Sequence, residues 1–194
     1  DEDVPASLKA ELRPYQRVGY GWLKALSDNG FGGILADDMG LGKTVQTLAL
    51  LANRHIENKS DRPSLLVIPT SLISNWQTEA KRFAPDLKLL TLHGSDRHER
   101  MEHIADSDLV ITTYPLINRD HEKLFAYEFD LAILDEAQAV KNPASNVAKR
   151  IRDIKARQRI ALTGTPVENN LTELWALYDW LIPGFLGDRK SFAS

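Results

Sequence analysis

Phe31 to Gln46 reads FGGILADDMGLGKTVQ. Its short apolar run, Gly33 to Ala36, has the length and composition of a buried strand. A polar, glycine-bearing turn follows. Lys43 and Thr44 then open a helical pattern in which Val45, Leu48, Ala49 and Ala52 share one face at spacings of three and four. Strand, glycine turn, Lys-Thr and helix together make a cradle for a polyphosphate. Gly40 and Gly42 allow the backbone to curl with its amides inward, where a side chain would block the anion. The helix adds its unpaired N–H groups and positive dipole end. Lys43 is expected to reach the outer phosphates, and the Thr44 hydroxyl to hold magnesium. The usual pattern has a glycine five positions before Gly42, and this chain carries Asp37 there.

The whole chain sets the bounds. Its 194 residues suit one large domain or a domain with a small appendage. A chain of that size buries roughly 70% of its unfolded surface and needs no covalent staples. Cysteine is absent, which excludes disulfides and thiolate metal sites. No apolar run approaches the roughly 20 residues of a membrane span, and the first residues lack a charged-then-apolar leader. The expectation is a protein without a membrane partner, cytoplasmic and nucleoid-associated in a bacterium, or nuclear in a eukaryote. The formal net charge of −3 means that any nucleic-acid surface is a local patch and not a global field.

Residues 1–10 read as a frayed lead-in, and residues 11–194 as one lobe. Pro14 suits the first turn of a helix whose apolar stripe is Val18, Trp22, Leu23 and Leu26, stopped by Asn29-Gly30. After the phosphate cradle, Ser64 to Pro69 has the continuous apolar run of a strand covered on both faces. The next helix carries Leu72, Trp76, Ala80 and Phe83, with Ser71 or Ser74 as its cap. Leu87 to Leu92 reads as a strand, Asp96 to Ile104 as a charged helix, Asp108 to Tyr114 as a strand, and Phe129 to Leu134 as a strand running into Asp135-Glu136. Ala144 to Ile154 reads as a basic helix, Arg159 to Leu162 as a strand, and Leu171 to Leu181 as an amphipathic helix. Alternating strands and helices of this length predict an α/β fold: a mostly parallel sheet with helices on both faces. Ligands in such sheets sit at the carboxyl ends of the strands. Asp37-Asp38, Pro69-Thr70, Thr112-Thr113, Asp135-Glu136 and Thr163-Gly164 each follow an apolar run and so fall at that edge.

Asp135 is placed to hold a magnesium shell, and Glu136 to orient and deprotonate an attacking water. The amide of Gln16 can pair with an adenine edge as donor and acceptor, although a helical Gln is more often solvated. Thr163, Gly164, Thr165 and Pro166 place two hydroxyls at a strand end, where they could bond the carboxylates or simply close a turn. Trp76, Trp175 and Trp180 fall on apolar helical faces and read as core. His93, His98 and His103 are five apart, which scatters them around a helix and argues against a metal site. Lys149, Arg150, Arg152, Lys155, Arg157 and Arg159 are the one basic concentration, a solvated face before it is a nucleic-acid contact.

In order along the chain stand Leu12 to Gln16 (LRPYQ), Ala36 to Thr44 (ADDMGLGKT), Pro69 to Trp76 (PTSLISNW), His93-Gly94, Thr112 to Tyr114 (TTY), Asp135 to Pro143 (DEAQAVKNP), Leu162 to Pro166 (LTGTP) and Leu174 to Gly187 (LWALYDWLIPGFLG). This series resembles the first RecA-like motor lobe of the Swi/Snf-type DNA translocases, in helicase superfamily two, from about Leu12 to the end of the chain. The resemblance implies that ATP is bound by Arg13, Gln16, Asp38, Met39, Gly40, Leu41, Gly42, Lys43, Thr44 and Val45. It implies magnesium at Thr44 and Asp135, and catalysis by Lys43, Asp135 and Glu136. Pro69, Ser71, Trp76, His93, Gly94, Thr112, Thr113, Tyr114, Lys141 and Asn142 lie in segments that in this family face the DNA backbone. Gln138, Thr163 and Thr165 match elements that couple hydrolysis to movement. Gln138 stands where many eukaryotic relatives carry histidine, which resembles bacterial members.

The family's motor also uses a second RecA-like lobe that supplies an arginine finger, and Ser194 lies just beyond the first lobe. The resemblance therefore implies double-stranded DNA, that second lobe and other protein complexes on DNA as partners, with little hydrolysis by this fragment alone. Two other readings are a strand-separating DNA or RNA helicase and a scaffold that binds ATP without catalysis. Asp-Glu-Ala-Gln and Asn75-Trp76 weigh against the first, and intact Lys43, Thr44, Asp135 and Glu136 weigh against the second.

Overall fold

The computed structural model describes residues 4–28, 33–36, 42–140, 142 and 144–163, with the backbone alone for 33–36. The phosphate-cradle residues Asp38, Met39, Gly40 and Leu41, the residues Lys141 and Thr165, and the helix expected over Leu171 to Leu181 with Trp175 and Trp180 lie outside that set.

Helix α1 spans Pro14–Asp28, strand β1 Gly33–Ala36, helix α2 Lys43–Ala52, strand β2 Ser64–Ile68, helix α3 Ile73–Phe83 and strand β3 Leu89–Thr91. Helix α4 spans Arg97–Arg100, strand β4 Leu109–Thr113, helix α5 Tyr114–Leu124, strand β5 Glu128–Leu134, helix α6 Asn146–Ile151 and strand β6 Lys155–Thr163. The six strands form one sheet in the order β1-β6-β5-β2-β4-β3, every neighbouring pair parallel.

The apolar runs are continuous because both faces are covered. Leu65, Val67, Val110, Ala132 and Leu134 join Ile117 and Leu124 of α5 and Ala148 and Ile151 of α6 in one core. Leu66, Ile68, Ile111, Leu131 and Ile133 join Tyr20 and Leu23 of α1, Leu48 of α2, and Trp76 and Ala80 of α3 in the other. Successive strand residues thus go to opposite cores, as the pleat requires. Helix α2 is buried on every side, which explains its sequence, KTVQTLALLA. It approaches α1 so closely that a Cβ at Gly19 would meet Gln46 Oε1 at 1.9 Å.

Several expected boundaries move. In α1 the buried residues are Gln16, Tyr20, Leu23 and Ser27, while Val18 and Trp22 are exposed. Hydrophobicity assigned the wrong stripe because the inward polar residues are satisfied there: Ser27 Oγ donates to Gln158 Oε1 at 2.8 Å. Helix α3 starts after a 3₁₀ turn, Thr70–Leu72, with Leu72 at its cap position and no serine cap. The charged helix breaks into α4 and a 3₁₀ segment, Met101–Asp106. Pro115, read as a strand stop, instead sits in the first turn of α5, where a missing N–H costs nothing. Strand β6 begins four residues earlier than expected, because Lys155 and Ala156 pair with Glu128 and Phe129.

Candidate active site

The parallel sheet brings the ends of β2, β4, β5 and β6 to one edge, together with the first turn of α2. Gly42 caps α2 with φ −93° and ψ −29°, a conformation open to any residue, so left-handed freedom is not what this position requires. Lys43, the first residue of the helix, is almost wholly buried. Its Nζ lies 2.9 Å from Glu136 Oε1 and 3.4 Å from Asp135 Oδ1, across 93 and 92 positions of sequence. Thr44 follows on the same turn and is buried.

Asp135 is fixed from several sides. Its amide donates to Val67 O at 2.9 Å, which docks the residue on the neighbouring strand. Trp76 donates its indole N–H to Oδ2 at 2.8 Å, the Glu136 amide donates to Oδ1 at 2.9 Å, and the Tyr114 hydroxyl donates to the Asp135 carbonyl at 2.7 Å. Burial, and then the negative charges of Asp135 and Glu136, push the Tyr114 phenol well above its ordinary range, so it remains a donor. Glu136 has φ +50°, a left-handed backbone that costs a side-chain-bearing residue about 1–2 kcal/mol. Its carboxylate is held on the far side by Gln138, whose Nε2 donates to Oε2 at 2.5 Å. Thr163 in turn donates its hydroxyl to Gln138 Oε1 at 3.1 Å. A line of side chains therefore runs from the last residue of β6 through Gln138 to Glu136 and Lys43.

Two carboxylates on one ammonium leave the trio net negative, a setting that accepts a further cation. Among the described residues no group of three acidic, histidine or cysteine side chains forms a metal cage. Magnesium suits such a place, since it binds through one or two carboxylates plus substrate phosphates. Asp135 and Thr44 fit that role.

Beside the first turn of α2 opens a cavity of about 520 Å³ lined by residues including Arg13, Tyr15, Gln16, Val45, Glu79 and Arg82. Gln16 Oε1 accepts the Arg13 amide N–H at 2.8 Å, which fixes the orientation of the amide group. Glu79 was not anticipated from the sequence. It stands three residues after Trp76 on α3, one turn along the same face, and that spacing was the available signal.

The residues assigned to a DNA backbone divide. Ser71, His93, Gly94 and Asn142 are exposed and Pro69 is half-buried. Trp76, Thr112, Thr113 and Tyr114 are buried, so the expectation that their side chains line an outer surface is corrected. Trp76 and Tyr114 turn inward to hold Asp135, and the two threonines fill the end of a fully buried strand. The His93-Gly94 turn is clamped: Gly94 has φ +95°, Arg97 Nη1 donates to its carbonyl at 3.0 Å, and Arg100 donates to the His93 carbonyl. Arg97 is itself anchored by the buried Asp120 at 2.7 and 3.1 Å. Of the basic run, Arg157 and Arg159 are engaged with Asp61 and the Ile154 carbonyl. No helix among the described residues is long and apolar enough to cross a membrane.

Comparison with known proteins agrees with this arrangement. The family model for the SNF2-related domain matches residues 15–194. A solved SWI2/SNF2 ATPase core of Sulfolobus solfataricus, in complex with double-stranded DNA, superposes with a TM-score of 0.90 at 42% identity, covering 97% of this chain and 39% of that one. YwqA of Bacillus subtilis is 41% identical over 195 residues, covering 99% of this chain and 21% of that protein. The ISWI chromatin-remodeling complex ATPase ISW1 of Saccharomyces cerevisiae is 40% identical over 196 residues, covering 98% of this chain and 17% of that protein. The chain thus spans about a fifth of these curated relatives. With its family signature running from α1 to the last residue and its six-stranded parallel sheet, the chain belongs to the SNF2-related domain family.

Proposed function

We propose that this chain is the nucleotide-binding lobe of an ATP-driven translocase on double-stranded DNA. The observation that carries the reading is the convergence of Lys43 on Asp135 and Glu136 at 3.4 and 2.9 Å. Lys43 meets the outer phosphates of ATP, and its release from the carboxylates accompanies their arrival. Asp135 and Thr44 hold magnesium, which neutralises phosphate charge when bound. Glu136 orients the attacking water and takes its proton. Its twisted backbone and the Gln138 bond aim the carboxylate, and Thr163 at the end of β6 senses its position through that bond. The exposed Ser71, His93, Gly94 and Asn142 approach the duplex backbone, with hydroxyls and amides carrying the contacts that a slightly acidic chain cannot make by net charge.

Efficient turnover requires the second lobe of the parent protein. An arginine finger is worth about 10³ to 10⁵ in rate, or roughly 4–7 kcal/mol of barrier. These 194 residues therefore bind Mg-ATP weakly and hydrolyse it hardly at all, and strong DNA-stimulated turnover by them would overturn the assignment. Calorimetric titration with Mg-ATP tests the site directly: Lys43→Ala should abolish binding. Binding that survives this substitution unchanged would remove the phosphate role of Lys43 and, with it, the motor reading.

A further inference from the structure

The cavity beside α2 holds a carboxylate that the catalytic roles above do not use. Glu79 lines it together with Arg13, Gln16 and Val45, the last of these in the first turn of the phosphate helix. The oxygen Oε2 of Glu79 is buried and has no hydrogen-bond partner. A carboxylate oxygen left without a donor is costly, and such orphans mark a missing ligand more often than a fault. Burial pushes the Glu79 carboxyl up, with the charge of Arg82 working against it. Gln16 is already oriented by its bond to the Arg13 amide, which leaves its NH₂ group as the donor it offers. A purine read by that donor still needs an acceptor if it carries an exocyclic amine.

We infer that Glu79 is that acceptor: its carboxylate takes the amino group of adenine, and so makes the cavity select adenine nucleotides over purines that lack the amine or carry an oxygen in its place. The inference rests on the nucleotide-lobe reading above. Adenine brings one donor edge and ring acceptors, which match the carboxylate of Glu79 and the amide of Gln16. Guanine and hypoxanthine present a carbonyl oxygen to the same carboxylate, and two acceptors repel. A site built around a polar group rejects an analogue that leaves it unpaired far more strongly than it rejects a change of bulk.

The test is calorimetric binding of Mg-ATP, of the magnesium complex of purine riboside triphosphate, and of Mg-GTP to the 194-residue chain. The unsubstituted chain should prefer ATP to purine riboside triphosphate by about tenfold or more. Glu79→Met should lower ATP affinity to that of purine riboside triphosphate and leave the latter within about twofold. Glu79→Gln, which offers both an acceptor and a donor, should keep most ATP affinity and admit GTP. Equal losses for all three nucleotides in the Met variant, with melting unchanged, would make Glu79 a structural residue and overturn the inference. An unchanged ATP preference in both variants would overturn it as well. Failure of the unsubstituted chain to bind any of the three would instead sink the nucleotide-lobe reading, and the base-reading role with it.

Discussion

Strand β5 carries a buried aspartate near its start and another just past its end, and the two do opposite work. Asp130 is fully buried, accepts Arg54 through Nε at 3.0 Å and through Nη2, and accepts Arg157 Nη1 at 3.5 Å. Arg54 also donates to Ser27 Oγ at 2.9 Å, and Gln158 returns its Nε2 to the Ser27 carbonyl at 2.6 Å. The result is a saturated knot tying α1, β5 and β6 together. Asp135, five residues and roughly 16 Å further along, shares one lysine with Glu136 and sits beside a strained backbone. Saturation makes a structural charge. A cluster short of positive charge and held by neighbours that do not neutralise it makes a functional one.

That contrast can be broken in four places. The largest effect is expected from Glu136→Gln in the longer parent protein. Steady-state ATP turnover should fall roughly 10²- to 10⁴-fold while melting hardly moves, and a parallel loss of stability would make Glu136 a structural residue like Asp130. Asp130→Ala should behave in reverse. Leaving Arg54 without its buried partner should cost about 3–5 kcal/mol in urea unfolding, with nucleotide affinity of the folded fraction unchanged. Trp76→Phe probes the boundary between the two kinds of charge. Removing the indole donor from Asp135 should cost about 1.5–3 kcal/mol and weaken Mg-nucleotide binding as well, and an effect on stability alone would detach Trp76 from the site.

The smallest effect is pH dependence. The Ser64 oxygen accepts the Leu131 amide at 3.2 Å, so its proton goes to His55 Nε2 at 2.7 Å and the buried ring is neutral. Burial is the main cause holding the His55 imidazole below 6.5, against the pull of Asp108 and Asp130. Below that ordinary value the unfolded chain takes up a proton that the folded one refuses, so stability present above pH 6.5 is lost as pH falls. Asp130 adds to this at lower pH. Burial pushes its carboxyl up, but Arg54, Ser60 and His55 outweigh that and hold it below the usual 3.8, so its contribution disappears only as pH falls through the carboxylate range. Melting curves from pH 7 downward should show a first decline of no more than about 1.4 kcal/mol per pH unit, and His55→Asn should remove it.

Much of this was legible in the residues. The apolar runs announced parallel strands, and the polar pairs behind them announced which edge would carry the chemistry. Lys43, Asp135 and Glu136 could be named because their types and positions after a strand follow from phosphate chemistry. The buried face of α1 was not legible. Polar Gln16 and Ser27 point inward only because Arg13 and Gln158 meet them, and periodicity counts them as outward. Nor could the threonines of β4 or Trp76 be told from surface residues, since a segment near a binding surface does not reveal which side of it each side chain takes.

Local sequence determined the strand–turn–helix of the phosphate helix, the alternation that makes an α/β sheet, and the residue types of the site, because these depend on spacing along a short stretch of chain. Only the tertiary structure decided that the Trp76 indole and the Tyr114 hydroxyl hold Asp135, that Gln138 bridges Thr163 and Glu136, and that an unpaired Glu79 oxygen faces the cavity beside Gln16. Each of those depends on the order β6-β5-β2-β4 bringing distant strand ends within hydrogen-bond reach, and that order is set by the packing of two cores against one sheet, which no single stretch of residues contains.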